Sequence, residues 1–492
     1  MLMFMQRNNF CRIESSFLLQ RNNAELYHKP KKEDLLHSYY VMLMPGVLTI
    51  SAVVTSLVII SVTSVNAVLG TQDESNVTLT ILFTQIGASH NAGKVLIDNA
   101  LEVLRNETDA EINVKYVEFP YDSTRNEIIR LLSNQTPIDI ITLDQIWLGE
   151  LAQKGLLTDL TNHTTQQWDR DGNEEWYITN WEGGKSQGRI YGIWAWTDVR
   201  GIWYWKDMLQ EAVVVPESLK TWDGYISAAE QLNSVLSHKG IEGIHLTGAG
   251  HSPDLWYPYL WMLGGDILQQ RAGHPTKGTY WFPVFNSSLG VKALSFIQDQ
   301  VIAGIKPQKE HHWGKEFIDR KFAVMIEGSW MPSYIQKPIQ DPRDRIEFEN
   351  RIGFLPMFPV PNKGDQNSTL MGGWEFSIPS TSLHKDLAWK LITEMLEPKI
   401  LAPWLAENGF LPTQIAIGEG TSRIQLSSYI PYYDEMISAI PFGGFRPSIQ
   451  EYPQIAEFIK EALDAVYYGA ANPKKALDEA AAKSAVTLGW SS

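Results

Sequence analysis

The sequence predicts an α/β fold in which two lobes exchange chain segments. From residue 77 onward, short apolar strands alternate with helical stretches, and this rhythm is typical of an open, mostly parallel sheet covered by helices. A second set of strands and helices begins near Ile190, and no Pro/Ser-rich linker separates it from the first. At 492 residues the chain is too long for one ordinary domain.

The first set of elements ends at a candidate site. The predicted order is strand 77–83, helix 92–105, strand 112–119, helix 123–133, strand 138–143 and a helix through 151. Asp144 comes directly after the third strand. Ligand sites in such sheets lie outside the carboxyl ends of the strands, so Asp144 is the first candidate.

The second set of elements contains two motifs in which a tryptophan closely follows a glycine. Its predicted elements are strand 202–205, a helix capped by Thr221, strand 322–326, a helix over 384–395 and a helical C-terminus over 455–485. The strand over 322–326 leads to Trp330, and Gly372-Gly373-Trp374 precedes the helix over 384–395.

Composition excludes several classes of protein. With 44% hydrophobic and 20% charged residues the chain is globular. A net charge of −15 argues against nucleic acid or an anionic membrane as the main partner. The single cysteine, Cys11, precedes the hydrophobic segment, so the rest of the chain has no disulfide, no thiolate metal site and no lipid-anchoring cysteine.

The N-terminus is predicted to direct export. Residues 41–69 are mostly apolar, and six basic residues precede them, which places the bulk of the chain outside. Val65-Asn66-Ala67 resembles a cleavage site, so a signal peptide and a retained transmembrane anchor are both open; we favour the anchor. Residues 1–40 are then a cytoplasmic segment, or an extension ahead of a true start near Met42 or Met44.

The part beyond this segment is predicted to be a glycosylated exterior domain. Six Asn-x-Ser/Thr sequons occur there and nowhere before. They begin at Asn76, Asn106, Asn134, Asn162, Asn286 and Asn367.

Carboxylates and tryptophans form the candidate ligand site. Asp144 and Asp198 can each accept strong hydrogen bonds from ligand hydroxyl groups, although a helix N-cap and a turn residue are their alternative roles. Trp330 and Trp374 each follow a glycine closely, which leaves room for a sugar ring to stack on the indole; core packing is the alternative. Gly372 and Gly373 would offer backbone amides.

Five blocks of the chain together resemble a known family. They are residues 139–160, 190–207, 317–330, 372–379 and 408–413. In this order they are similar to blocks of the extracellular solute-binding proteins of ABC importers, of the maltose and trehalose/maltose type. The resemblance runs from about Val77 to Trp490.

The resemblance implies a periplasmic-binding-protein-like fold with a hinge between the lobes. Lobe one would comprise residues 76–197 plus 373–410, and lobe two residues 198–372 plus 411–492. It implies further ligand contacts for Arg125 and Arg446 by position and for Trp196 at the first hinge crossing. Trp256 and Tyr257 would line the far lobe, with core packing as their alternative.

The predicted function is to bind a di- or oligosaccharide outside the cell and deliver it to the membrane subunits of an ABC importer by cleft closure. The protein is expected to be a monomer without cofactor, metal or catalytic residues. Two alternatives stay open: a receptor for a polyamine, glycerophosphodiester or other non-sugar solute, and a secreted glycoside hydrolase. The hydrolase would need paired carboxylates, for which Asp144 with Asp198 or Glu375 are the candidates.

Overall fold

The computed structural model describes residues 76–85, 92–107, 111–168, 175–247, 253–308, 313–331 and 341–490. These residues belong to one compact unit, Asp73–Ser492. The predicted extension 1–40 and the predicted signal or anchor segment 41–69 lie outside the described residues. No helix within the described ranges is both long enough and apolar enough to span a bilayer.

Strands and helices alternate as the sequence predicts. The strands are β1 (Asn76–Gln85), β2 (Glu111–Pro120), β3 (Ile140–Asp144), β4 (Lys185–Ser186), β5 (Arg189–Ile190), β6 (Ile193–Trp205), β7 (Glu242–Thr247), β8 (Leu268–His274), β9 (Gly278–Pro283), β10 (Pro307–Gln308), β11 (Phe322–Gly328), β12 (Ile352–Pro356), β13 (Thr369–Ser377), β14 (Leu411–Pro412) and β15 (Gly443–Gly444).

The α-helices are α1 (Ala92–Glu107), α2 (Tyr121–Ser133), α3 (Gln145–Gln153), α4 (Thr161–Gln167), α5 (Ile178–Gly183), α6 (Lys206–Glu211), α7 (Trp222–Leu236), α8 (Tyr257–Met262), α9 (Ser288–Ile302), α10 (Trp313–Ile318), α11 (Pro342–Arg351), α12 (Lys385–Leu396), α13 (Pro398–Asn408), α14 (Ile415–Gly418), α15 (Arg423–Tyr429), α16 (Tyr433–Ala439), α17 (Tyr452–Tyr467) and α18 (Pro473–Thr487).

The fold is a two-lobed α/β fold organised by one mixed sheet, in the order β10-β7-β11-β6-β13-β3-β1-β2. One end of the sheet is parallel through β2, β1 and β3, and the other is parallel through β10, β7 and β11. In the centre, β13 runs antiparallel to β3 and β6, and β11 runs antiparallel to β6. The prediction of a mostly parallel sheet therefore holds for the two ends and is wrong for the centre.

Strands β6 and β13 carry the chain between the two parallel ends. The first part of β6, up to Val199, pairs with β13, and the part from Arg200 onward pairs with β11. The two strands meet in register where Asp198 lies opposite Gly372. The segment that the sequence marks as a hinge crossing is thus a long continuous strand.

Burial explains why β1 is predicted so well. Its side chains alternate between two apolar layers: Leu79 and Ile81 belong to the core that includes α1, whereas Leu82 packs with residues of α2 and α3. A strand buried on both faces reads as a continuous apolar run, which is the pattern the sequence shows over 77–83.

Candidate functional site

A cluster of six buried or half-buried charged side chains lies where β3, β6 and β11 meet the segment after β15. We call it the charged cluster. Its members are Asp144, Asp198, Arg200, Asp254, Glu327 and Arg446. It joins three of the predicted site residues, Asp144, Asp198 and Arg446, although they are far apart in the chain.

Arg446 bridges two carboxylates in the cluster. Its Nη2 donates to Asp144 Oδ1 at 3.2 Å, and its Nη1 donates to Asp254 Oδ2 at 3.4 Å and to the Met371 carbonyl at 3.5 Å. The residue is 2% exposed, and its Nε is buried without a hydrogen-bond partner. Burial opposes the charge of this guanidinium, but Asp254 and Asp144 raise the pKa of Arg446 overall.

Arg200 links the remaining carboxylates. Its guanidinium nitrogens lie 3.4 Å from Asp198, 3.6 Å from Glu327 and 3.9 Å from Asp254. The same guanidinium lies over the ring of Trp330, 4.3 Å from its centroid, so the predicted stacking platform carries a cation in this conformation. Asp254 is therefore shared by both arginines.

The cluster holds more negative charge than its arginines offset. Burial raises the pKa of Asp144, of Asp198 and of Glu327, although the nearby arginines act in the opposite direction. A raised pKa means that each of these carboxyl groups holds a proton more readily than it would in water.

Asp144 combines the two roles that the sequence left open. It is the N-cap of α3, where its carboxylate accepts a 3.4 Å hydrogen bond from the Ile146 backbone, and it also accepts from Arg446 and from the Tyr121 hydroxyl at 3.0 Å. The cap orients the carboxylate, and Arg446 and Tyr121 provide its other hydrogen bonds.

The glycine pair lies within strand β13. A Cβ on Gly372 would come within 2.5 Å of Asp198 Oδ2, and a Cβ on Gly373 within 2.6 Å of the Trp196 carbonyl oxygen. Glycine at these positions lets β13 approach β6 closely while Asp198 packs across it.

Three aromatic rings stand beside the cluster. This aromatic wall consists of Tyr121, Trp147 and Trp374, whose centroids lie between 5.5 and 6.0 Å apart. Trp147 is buried, Trp374 is partly buried and Tyr121 is 43% exposed, so the wall presents ring surface to solvent. The Tyr121 hydroxyl connects it to Asp144.

Trp196 does not join this site. It is 1% exposed and packs among Phe83, Trp404 and Phe410, with centroid distances of 6.0, 4.8 and 5.8 Å. The Trp196 ring is therefore part of the hydrophobic core of the lobe. The ligand contact that the resemblance implies for it is wrong.

Trp256 and Tyr257 are also core residues, at 0% exposure each. Trp256 packs near Phe285, and the Tyr257 hydroxyl lies 3.2 Å from the Tyr452 hydroxyl. Both side chains therefore have the core-packing role that was the alternative to lining the far lobe.

Arg125 lies on α2 outside the cluster. Its Nε donates to Glu150 at 2.8 Å, and Lys154 lies 2.6 Å from the other oxygen of the same carboxylate. The guanidinium forms an ion pair between α2 and α3 and is still 32% exposed, so the sugar contact implied by position stays a prediction.

Glu375 lies close enough to Asp144 for the two charges to interact, but its side chain is on the opposite face of β13 from that of Trp374, which pairs with Asp144. Glu375 is 0% exposed, and one of its oxygens accepts from the Trp194 indole in the core, whereas Trp374 joins the aromatic wall. The pairing of Asp144 with Glu375 that a hydrolase would use is therefore not the arrangement of this site.

Sequence reasoning missed Arg200, Asp254, Glu327 and Tyr121. Strand periodicity was a usable signal for the first, because residues two apart face the same way and Arg200 follows Asp198 at that spacing. Asp254 and Tyr121 come from other parts of the chain and had no comparable signal.

A cavity of about 420 Å³ opens beside the cluster. Phe445 lines it, whereas the next residue, Arg446, points into the cluster, so the segment after β15 separates the two. Its other lining residues include Trp261 and Asp266 and are not those predicted from the sequence.

Comparisons with known proteins define the class. Residues 104–417 match the model of a family described as bacterial extracellular solute-binding protein. A binding protein of Brucella abortus is 20% identical over 383 residues, which cover 77% of this chain and 86% of that one. The chain belongs to the bacterial extracellular solute-binding protein family.

Solved structures agree with this fold. The GacH receptor of Streptomyces glaucescens, solved unliganded and with acarbose, is 20% identical with a TM-score of 0.67, covering 84% of this chain and 99% of that one. Maltose-bound MalE3 of T. maritima is 22% identical with a TM-score of 0.67, covering 84% and 100%. Both are similar to this chain in fold.

Proposed function

We propose that the protein binds a di- or oligosaccharide outside the cell and delivers it to the membrane subunits of an ABC importer. The observation that carries the proposal is the aromatic wall standing beside the charged cluster. Sugars present apolar C–H faces, which stack on indole and phenol rings, and hydroxyl groups, which hydrogen-bond to carboxylates and guanidinium groups. Fold neighbours with acarbose and with maltose support the sugar class.

The proposed lobes are residues 76–197 plus 373–410 and residues 198–372 plus 411–492. The cluster takes residues from both sides of this division, since Asp144 lies in the first and Arg446 in the second. A ligand that replaces some of these contacts would be held by both lobes, so its differential contacts would favour the closed state.

Residues 41–69 would direct the chain across the membrane, as a retained anchor or a cleaved signal peptide. The protein would then act as a monomer at the outer face of the membrane, and the sequons would be glycosylated there. The importer would recognise the surface that the two closed lobes form together.

The test is a titration of the purified full-length chain with maltose, trehalose, cellobiose, glycerol-3-phosphocholine and spermidine. Tryptophan fluorescence and calorimetric heat are followed, and any bound sugar is recovered and analysed. We expect saturable micromolar or tighter binding of a sugar that is recovered intact, and weaker binding after Trp374→Ala.

Other results would contradict the proposal. Binding of only glycerol-3-phosphocholine or spermidine would indicate a receptor for a non-sugar solute. Recovery of monosaccharide from a bound disaccharide would indicate a glycoside hydrolase. Trp196→Phe serves as a matched control. Because Trp196 is a core residue, this substitution is expected to leave the sugar affinity unchanged.

A further inference from the structure

The charges of the charged cluster do not balance. Four carboxylates, Asp144, Asp198, Asp254 and Glu327, face two guanidinium groups, Arg200 and Arg446. All six side chains are at most 24% exposed. A buried excess of negative charge is costly unless a proton or a cation offsets it.

Neither arginine is available to an anionic ligand. Arg446 already contacts two carboxylates and a carbonyl, and Arg200 lies within 4 Å of three carboxylates and over the Trp330 ring. A phosphate or carboxylate placed here would meet four like charges, and such repulsion costs several kcal/mol in a desolvated site.

The groups around the charged cluster also require a ligand with a hydroxylated ring. The buried Arg446 Nε lacks a hydrogen-bond partner and can donate to a hydroxyl or ring oxygen. The aromatic wall beside Asp144 needs an apolar ring face. A linear polyamine supplies a cation but neither of these features.

We propose that the solute held by this cluster is an amino sugar, in which a protonated amine on a hydroxylated ring offsets the excess carboxylate charge. Asp254 would receive the amine, because at 24% exposure it is the most accessible of the four carboxylates. This inference rests on the proposed sugar-binding function and narrows its ligand class.

The test compares related sugars that carry a neutral, a cationic or an anionic substituent. The full-length chain is titrated calorimetrically with glucose, glucosamine, N-acetylglucosamine and glucose 6-phosphate, and with cellobiose and chitobiose in its N-acetylated and de-acetylated forms. Spermidine and calcium chloride are included as cations without a sugar frame. An amine is expected to bind at least about tenfold tighter than its neutral counterparts, because a buried charge-assisted hydrogen bond contributes about that much.

The variant that tests the assignment is Asp254→Asn. It keeps the size and the hydrogen-bonding ability of the side chain while removing its charge, so the preference for the amine is expected to fall toward unity. Asp386→Asn is the matched control, because that carboxylate is 97% exposed and lies outside the cluster. Glu327→Gln provides a second variant if Asp254→Asn does not fold.

The outcomes separate the two proposals. Equal or tighter binding of a neutral sugar or of the sugar phosphate would overturn the amino-sugar inference and leave the sugar-binding function standing. Binding of spermidine or calcium alone would overturn both. Absence of binding throughout this panel would overturn the amino-sugar inference, and the titration with maltose and trehalose would then decide the sugar-binding function. An unchanged amine preference in Asp254→Asn would overturn the role assigned to that carboxylate.

Discussion

At the scale of single residues, burial decides what each charged side chain of the site contributes. Arg446 and Asp144 lie in a place where water is largely excluded, so each depends on the other for compensation. Arg125 has a similar chemical partner in Glu150, but it is half-buried on a helix surface. Only the first pair couples distant segments of the chain.

Replacing Arg446 by Met should strongly destabilise the fold. The substitution leaves Asp144 and Asp254 without their shared cation, and breaking a buried pair in this way costs about 3–5 kcal/mol. Guanidinium denaturation of the full-length chain measures the loss.

Arg130→Met is the matched control for this prediction. Its guanidinium is 57% exposed and pairs with Glu127 on the same helix, so a loss of about 0–1 kcal/mol is expected. Equal losses in the two variants would show that the bridge made by Arg446 is not a major stabilising contact.

Glu375 should make stability depend on pH. Burial, followed by the nearby charge of Asp144, raises the pKa of this carboxyl well above its ordinary value, so the folded protein holds a proton that the unfolded chain releases. The contribution is fully present below the unfolded pKa of about 4.5 and is lost as pH rises through the folded pKa. Glu375→Gln removes this dependence.

We therefore expect Glu375→Gln to gain stability relative to the unsubstituted chain as pH rises above about 5. Denaturation midpoints at a series of pH values measure the difference. Glu347→Gln, at a carboxylate that is 71% exposed, should show no such trend. A constant difference across the series would contradict the raised pKa.

At the scale of secondary-structure elements, the pairing of β6 with β13 organises the site. Their register places Asp198 opposite Gly372 and Thr197 opposite Gly373, and the Thr197 hydroxyl donates to the Gly372 carbonyl at 2.8 Å. The close approach of the two strands therefore depends on the glycine pair.

Alanine at the two glycines should separate binding from stability. At Gly373 the new methyl group meets a backbone carbonyl that cannot move aside, so a loss of about 1–3 kcal/mol in unfolding free energy is expected. At Gly372 it meets the Asp198 carboxylate, which can swing away, so sugar affinity should fall about tenfold with a smaller stability change.

Calorimetry with the best sugar and denaturation of both variants check this pair of expectations. Each variant acts as the control for the other, because they are adjacent and differ in what the methyl group meets and in backbone conformation, Gly373 having a φ of 155°. A larger stability loss in Gly372→Ala than in Gly373→Ala would contradict the assignment.

At the scale of the whole molecule, the parallel end formed by β2, β1 and β3 was predictable because it consists of local units, whereas only β11 was predicted at the end formed by β10, β7 and β11. Strands β1 and β3 and helices α1 and α2 follow from apolar periodicity, which neighbouring residues carry themselves. The antiparallel centre was not predictable in this way, because β13 meets β3 across more than two hundred residues of chain.

The residues of the candidate site also differ in whether the local sequence could identify them. Asp144 could be found because it ends a recognisable strand, and Trp374 because it follows a glycine pair. Trp196 and Trp256 have equally suggestive sequence surroundings, yet both are packed in the core. Aromatic side chains serve stacking and core packing equally well, so only their neighbours in space distinguish the two uses.

The sequence by itself determined the strand and helix order from β1 to α3, the resemblance to solute-binding proteins, and the candidacy of Asp144, Asp198 and Arg446. Only the tertiary structure decided that these three join Arg200, Asp254 and Glu327 in one buried cluster with unbalanced charge. The physical reason is that periodicity and turn chemistry act over a few residues, whereas burial and charge compensation depend on segments that folding brings together.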